Sequence, residues 1–184
     1  MSKISKAIAE AIEFSREGKS VSFIQNFLEN AIDTVEVKVY RDDKSQPLPH
    51  YGKDGDACMD VHATKIEWDK EKARWICHTG LHFELPEDYE MELRPRSSNT
   101  KFRVAMLNSP ATLDEGYRGE LLVIFTCVDK DAHPSNYRFP YSIGDRVCQL
   151  LVRRRERIVW NEVDSIKRLS DSERGEGGFG STGK

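Results

Sequence analysis

Apolar side chains in the first part of the chain recur with helical spacing. Ile4, Ala7, Ile8, Ala11 and Ile12 fall at i, i+3, i+4, i+7 and i+8, which predicts an amphipathic helix. Gly18 supplies a stop and Ser20 an N-cap, and Val21, Phe23, Ile24, Phe27, Leu28, Ala31 and Ile32 mark a second helix, so residues 1–33 read as a helical hairpin. From Val35 the period changes: V-E-V-K-V-Y alternates apolar and charged positions as a half-buried strand does. Further short runs at 58–63, 65–68, 74–79, 81–85, 89–94, 102–106, 121–128, 146–153 and 158–163 are separated by Gly, Pro, Asp and Asn clusters. Many short strands with turn signals predict a mainly β domain, a barrel or jelly-roll-like sandwich carrying an N-terminal helical extension. Residues 69–72 predict a projecting hairpin between two tryptophan-bearing strands, and 129–141, with Pro134 and Pro140, a surface loop.

Composition narrows the functional classes. A chain of 184 residues with 38% hydrophobic content fits one domain plus an appendage. The 28 basic and 31 acidic residues leave a net charge of −3, without the basic excess of a dedicated nucleic-acid binder, so any phosphate site must be local. Cys58, Cys77, Cys127 and Cys148 form no C-x-x-C pair and read as reduced thiols of a cytoplasmic protein rather than zinc ligands. Glu10, Glu13 and Arg16 interrupt the apolar residues of the N-terminus, so neither a signal peptide nor a membrane span is expected.

The candidate chemistry concentrates in five blocks. The last, R-G-E-G-G-F-G-S-T-G-K from Arg174 to Lys184, sets glycines at 175, 177, 178, 180 and 183 among Arg174, Ser181 and Thr182. Glycines let backbone N–H groups turn toward an anion, and the guanidinium and hydroxyls add donors. Phe179 lies in no apolar run and suits a cover over a flat ring such as a base. The others are D-A-C-M-D-V at 56–61, R-P-R-S-S at 94–98, N-S-P-A-T-L-D-E-G-Y-R-G-E at 108–120 and G-D-R-V-C-Q-L at 144–150. Singly, each has a structural explanation as a turn, a surface ion pair or a strand edge.

As an ordered set, these blocks resemble the motifs of the trimeric deoxyuridine triphosphatase (dUTP diphosphatase) family over residues 35–184. Asn108 six residues before Asp114, with Tyr117 and Gly119 following, matches the family pattern, as does R-G-x-G-G-F-G-S-T-G. Two positions depart from it: Cys58 stands where the first motif carries glycine, and Ala111 where the third opens with glycine. The resemblance implies a jelly-roll-like distorted β-barrel over 34–170, with 171–184 as a lid. It implies hydrolysis of dUTP to dUMP and pyrophosphate, an activity that limits uracil in DNA and supplies dUMP for dTMP synthesis. Asp114 would activate the water that attacks the α-phosphorus. Arg96, Ser97, Ser98, Gln149, Ser181 and Thr182 would bind phosphate oxygens, and Arg174 would neutralise charge from the tail. Asp60 would hold, through water, a Mg2+ ion chelated by the triphosphate. Asn108 and the segment up to Leu113 would face uracil, Tyr117 would pack on the deoxyribose and exclude a 2′-hydroxyl, and Phe179 would close over the base. The resemblance also implies a homotrimer with shared sites. Blocks one, two and four would come from one subunit, block three from a second and the tail from a third, with C-terminal strands exchanged or crossing between neighbours.

Two other readings set the comparison. The deoxycytidine triphosphate deaminases share the fold and resemble T-L-D-E-G-Y-R-G and R-S-S, but their catalytic glutamate falls eight residues beyond Gly116, where Ile124 can move no proton. A nucleotide-binding regulatory protein acting through a partner at the N-terminal helices is the reading from another class. The R-R-R-E-R run at 153–157 reads as a solvated or intersubunit strand face rather than a nucleic-acid patch, and Gly80 argues against His78 and His82 as a helical metal pair.

Overall fold

The computed structural model describes residues 3–128 and 138–177. Two helices open the chain, α1 (Lys3–Arg16) and α2 (Val21–Asp33). They form because Gly18 takes a left-handed φ of 76° between them and the Ser20 side chain accepts the Phe23 N–H at 3.2 Å, satisfying one of the orphan donors of the second helix. The hairpin closes on aromatic contacts: Phe14 meets the rings of Phe23 and Phe27 edge-to-face, with centroids 5.4 and 5.0 Å away. A single partner helix covers only part of the broad apolar stripe. Ala7 and Ala11 are buried, whereas Ile8 and Ile12 remain 50% and 49% exposed.

Eleven strands follow among the described residues: β1 (Lys38–Arg41), β2 (His50–Tyr51), β3 (Met59–His62), β4 (Lys65–Asp69), β5 (Arg74–His78), β6 (Leu81–Glu84), β7 (Tyr89–Arg94), β8 (Val104–Met106), β9 (Ala111–Leu113), β10 (Leu122–Cys127) and β11 (Arg146–Arg154). Their sheets are antiparallel, with orders β1-β6, β4-β5-β10-β8 and β2-β3-β11-β7-β9. The arrangement is jelly-roll-like, and the three sheets stay separate rather than closing into the barrel that was one of the expectations. One apolar core joins the two larger sheets: Val61, Leu93, Cys148 and Leu150 on one side and Cys77, Val123 and Phe125 on the other. Each belongs to the inward-facing set of its strand, as period-2 alternation requires.

Several boundaries differ from the sequence reading. Residues 35–37 precede β1 and are not strand, and β1 itself is largely exposed. β2 and β9, of two and three residues, are too short to carry a period. The 158–163 run is not a strand: Ile158, Val159 and Trp160 are 71%, 90% and 85% exposed. Its apolar residues meet no partner strand among the described residues, and a strand without a ladder partner has nothing to pair its backbone. The hairpin at 69–72 forms as expected, with Asp69 Oδ1 accepting the Lys72 N–H at 3.1 Å and Trp68 and Trp75 facing each other across β4 and β5.

The five-stranded sheet positions four of the five blocks. The first block ends on β3, the fourth runs into β11, the second leaves β7 and the third enters on β9, and these four strands are neighbours in that order. Cross-strand registers Asp60↔Gln149 and Gln149↔Arg94 bring the first, fourth and second blocks level with one another.

Phe125 is fully buried on β10, with the rings of Phe139 and Tyr141 at 5.6 and 5.5 Å. Phe125→Ala is expected to destabilise the fold by about 3–5 kcal/mol through lost transfer energy and a cavity. Urea unfolding followed by tryptophan fluorescence measures this, and a cost below about 1 kcal/mol would contradict the packing described.

Candidate active site

Asp60 is the hub of a cluster of arginines and amides. Only 5% exposed, it accepts from Arg96 Nε at 3.0 Å on Oδ1, from Arg146 Nη1 at 2.9 Å on Oδ2 and from Gln149 Nε2 at 3.4 Å on Oδ1. A carboxylate buried this far is tolerated only when paired and hydrogen-bonded. Burial pushes the Asp60 carboxyl up, but the Arg146 hydrogen bond and the Arg96 charge outweigh it and hold the group below the ordinary carboxylate range. Arg96 extends the cluster, donating through Nη1 to Ser98 Oγ at 3.2 Å and to the Arg146 carbonyl at 3.3 Å. The segment after it is a short 3-10 helix, Ser97–Lys101, whose buried Asn99 accepts the Tyr141 hydroxyl, so the Arg-Ser-Ser block is tied to the core. Arg96, Ser98 and Gln149 thus lie together around Asp60, and Ser97 lies exposed beside them.

Arg146 had no assigned role in the sequence reading. Counting alternate residues back from Gln149 puts 147 on its face and 146 on the other. The β11–β3 register shifts between Arg146 and Cys148, so Arg146 pairs with His62 and shares the face of Asp60. Two consecutive buried positions, Val147 and Cys148, are the local mark of that bulge.

A second group lines a cleft of about 220 Å³ bounded by Asn108, Leu113, Asp114, Tyr117, Glu120 and Leu93 among others. Asn108 is held at both ends of its carboxamide: Nδ2 donates to the Leu122 carbonyl and Oδ1 accepts the Ile124 N–H, each at 2.9 Å. Its side chain therefore joins the 108–113 segment to β10. Ile124, the position that distinguishes the deaminases, sits half-buried in the β10–β5 ladder opposite Ile76. Asp114 is exposed and begins the turn, its carbonyl accepting the Tyr117 N–H at 3.0 Å. The Tyr117 hydroxyl donates to the Glu120 carbonyl at 3.1 Å, and the ring lies so close to Gly119 that a Cβ there would overlap it. Glycine at 119 is thus a condition of Tyr117's seat.

In the tail, Gly175 takes a left-handed φ of 49° and the exposed Arg174 donates to the Gly177 carbonyl at 2.9 Å, curling the start of the glycine-rich stretch. Phe179, Ser181 and Thr182, with Lys184, lie outside the described residues, as do 129–137 of the predicted loop. The arginine cluster and the cleft share no residue.

Other chemistry is silent. No cluster of three or more His, Cys, Asp or Glu that could hold a metal occurs among the described residues. None of the four cysteines is in a disulfide, and burial pushes the Cys77 thiol up to about 12, leaving it protonated and unreactive. Arg153 near the end of β11 pairs with Glu90 and Glu92, and beyond the strand, which stops at Arg154 short of the expected run, Arg155 pairs with Glu115 and Arg157 with Glu87 and Asp88. No helix among the described residues is long and apolar enough to cross a membrane.

A jelly-roll-like sheet bearing an arginine cluster around a buried aspartate, and a separate cleft with an exposed carboxylate and a tyrosine, makes this a mainly β protein with two groups of polar residues. The chain belongs to the dUTPase family, whose pattern it matches over residues 44–183. It is 36% identical over 152 residues to the deoxyuridine 5'-triphosphate nucleotidohydrolase of Clostridium tetani, covering 82% of this chain and 97% of that one. It is 38% identical over 148 residues to the enzyme of the same name from Alkaliphilus metalliredigens, covering 80% and 96%. Among solved structures, the Staphylococcus bacteriophage 80alpha dUTPase with dUPNHPP superposes with a TM-score of 0.64 at 22% identity, covering 82% of this chain and all of that one, a likeness of fold.

Asp60→Asn removes the charge that two guanidiniums share, and is expected to cost about 3 kcal/mol, the lower end of the range for breaking a buried pair. Because folding lowers the Asp60 pKa, its stabilisation is full above the ordinary value of 3.8 and is lost as pH falls below it. Denaturant curves of both proteins from pH 3 to 7 should therefore show the gap narrowing toward the acid end, and a gap independent of pH would contradict the charge argument.

Proposed function

We propose that the protein is a dUTP diphosphatase that hydrolyses dUTP to dUMP and pyrophosphate, with the two groups of site residues meeting only between copies of the chain. The observation that carries this reading is the cleft that gathers Asn108, Leu113, Asp114 and Tyr117 around one volume of nucleoside size, in a chain belonging to the dUTPase family. Asp114 accepts a proton from the attacking water as it adds to the α-phosphorus in line. Arg96, Ser97, Ser98 and Gln149 stabilise the charge on the phosphate oxygens, and Arg146 joins them because its side chain is half-exposed beside Arg96. Arg174 brings further positive charge from the tail, Ser181 and Thr182 bind phosphate, and Phe179 covers the base and excludes water.

Uracil is read by the backbone of the 108–113 segment, which the Asn108 carboxamide holds rigid against β10. Tyr117 packs on the deoxyribose, and its fixed ring leaves no room for a 2′-hydroxyl. Magnesium enters with the substrate, chelated by the triphosphate, and supplies charge neutralisation there. Asp60 fits a water-mediated role toward it: Oδ2 accepts one arginine N–H and retains a lone pair for a metal-bound water, while Oδ1 accepts from Arg96 and Gln149. Four cysteines without a disulfide among them support action in the reducing cytoplasm.

The homotrimer rests on two observations: the arginine cluster and the cleft share no residue, and the segment after β11 exposes Ile158, Val159, Trp160 and Ile166. An apolar run of this kind is what a strand exchanged onto a neighbour leaves on the isolated chain.

Purified protein with magnesium is expected to release pyrophosphate rapidly from dUTP and slowly from dCTP, dTTP and UTP, with no ammonia. Asp114→Asn should lower kcat by about three orders of magnitude or more while retaining nucleotide binding. Ammonia from dCTP, or normal turnover by the variant, would overturn the reaction or the base. Trp160→Asp should shift the sedimentation coefficient from trimer toward monomer and reduce turnover with it, and a variant that remains trimeric would exclude the exchanged segment as the trimer's clasp.

A further inference from the structure

We infer that His78, acting through Glu120, is a positioning residue that holds Tyr117 in the nucleoside cleft and so sets the discrimination between deoxyribose and ribose. The inference rests on the sugar role given to Tyr117 above. His78 ends β5, with Lys65 of β4 and Leu122 of β10 as its cross-strand partners. Its ring lies between two carboxylates: Nδ1 is 2.9 Å from Glu120 Oε2 and Nε2 is 3.2 Å from Glu67 Oε2. Glu67 in turn pairs with Lys65. The other carboxylate oxygen of Glu120 accepts the Gly80 N–H at 2.8 Å, so both ends of that side chain are anchored to the β5–β6 connection.

The consequence lies on the backbone of the same residue. The Glu120 carbonyl is the acceptor for the Tyr117 hydroxyl, and Glu120 and Tyr117 both line the cleft. A chain of contacts therefore runs from Glu67 through His78 and Glu120 to the tyrosine ring.

Strand cohesion does not require this network. The Thr79 hydroxyl donates to the Leu121 carbonyl at 2.7 Å, and the Leu121 N–H donates to the Leu81 carbonyl at 2.8 Å, so the 119–121 segment is already fastened to the sheet. What the histidine adds is a fixed rotamer for Glu120 and hence a fixed position for its peptide group. Burial raises the Glu120 carboxyl, and the hydrogen bonds from His78 and Gly80 more than offset this, leaving an ionised, strongly accepting group. Gly80 reinforces the geometry: its φ is +60° and a Cβ there would meet Gln46 Oε1 at 2.8 Å, so the connection that presents its N–H to Glu120 has little freedom.

The test compares kcat/KM for dUTP and UTP, both with magnesium, in the full-length protein and its His78→Phe, His78→Asn and Tyr117→Ala variants. His78→Phe keeps a ring but loses both polar contacts, and the dUTP over UTP ratio is expected to fall about tenfold, the order of loss that loosened positioning produces. His78→Asn keeps an N–H near the Nδ1 position and should recover most of the ratio. Tyr117→Ala should relax it at least as far as His78→Phe. A His78→Phe enzyme that keeps the parent ratio overturns the inference whatever its melting temperature. A Tyr117→Ala enzyme that keeps it overturns the sugar reading and the inference with it. Should His78→Phe fail to fold, Glu120→Gln serves in its place: it retains the acceptor for Gly80 while weakening the histidine contact, and an unchanged ratio overturns the inference.

Discussion

The sharing of Asp60 between two guanidiniums is the constraint on which the proposed phosphate site depends. One carboxylate on β3 fixes Arg96 from the connection after β7 and Arg146 from the start of β11, while Gln149 approaches from the strand between. Three segments distant in sequence are thereby joined at one point. Without the carboxylate, the guanidiniums would repel one another and lose their orientation, and a flexible arginine binds a phosphate at greater entropic cost than one already aimed. The pair of arginines is correspondingly affordable only because the aspartate is there before any nucleotide arrives.

The proposed nucleoside cleft is organised by a different physics. Around the cleft the determining contacts are neutral and local: an asparagine carboxamide completing a backbone ladder, a tyrosine hydroxyl on a carbonyl three residues away, a glycine that makes room for the ring. Such contacts give shape, which suits a pocket that selects a base and a sugar. The charged cluster gives field, which suits a triphosphate. Their separation within one chain would couple assembly to catalysis in the proposed trimer.

The sequence made the helical hairpin and most of the longer strands legible because these segments carry strong periods: the Ser20 cap, the alternation through 89–94 and the apolar stretch 121–128 each leave a local signature. β2 and β9 were hidden by brevity, and the 158–163 run misled because its apolar residues resemble a strand while the chain itself offers it no partner. At the candidate site, motif resemblance pointed to Asp60, Arg96 and Gln149, which the structure brings together, and to Asn108, Asp114 and Tyr117, which line one cleft. It did not find Arg146, which a bulge turns onto the face opposite to the one alternation assigns it. Nor did it find the contact of His78 with Glu120, since the two are 42 residues apart and nothing local at either position announces the other.

That bulge also bears on how the sheet reaches its native pairing. β11 is a nine-residue strand of largely apolar and arginine residues, the kind of sequence that could pair with β3 or β7 in more than one alignment. A slip of one residue would turn Cys148 and Leu150 toward solvent. It would also strand the buried Asp60 without its second guanidinium, a penalty that accrues only in the wrong alignment. The same carboxylate that orders the proposed anion site thus acts as a proofreader of strand alignment, disfavouring misaligned pairings relative to the native one.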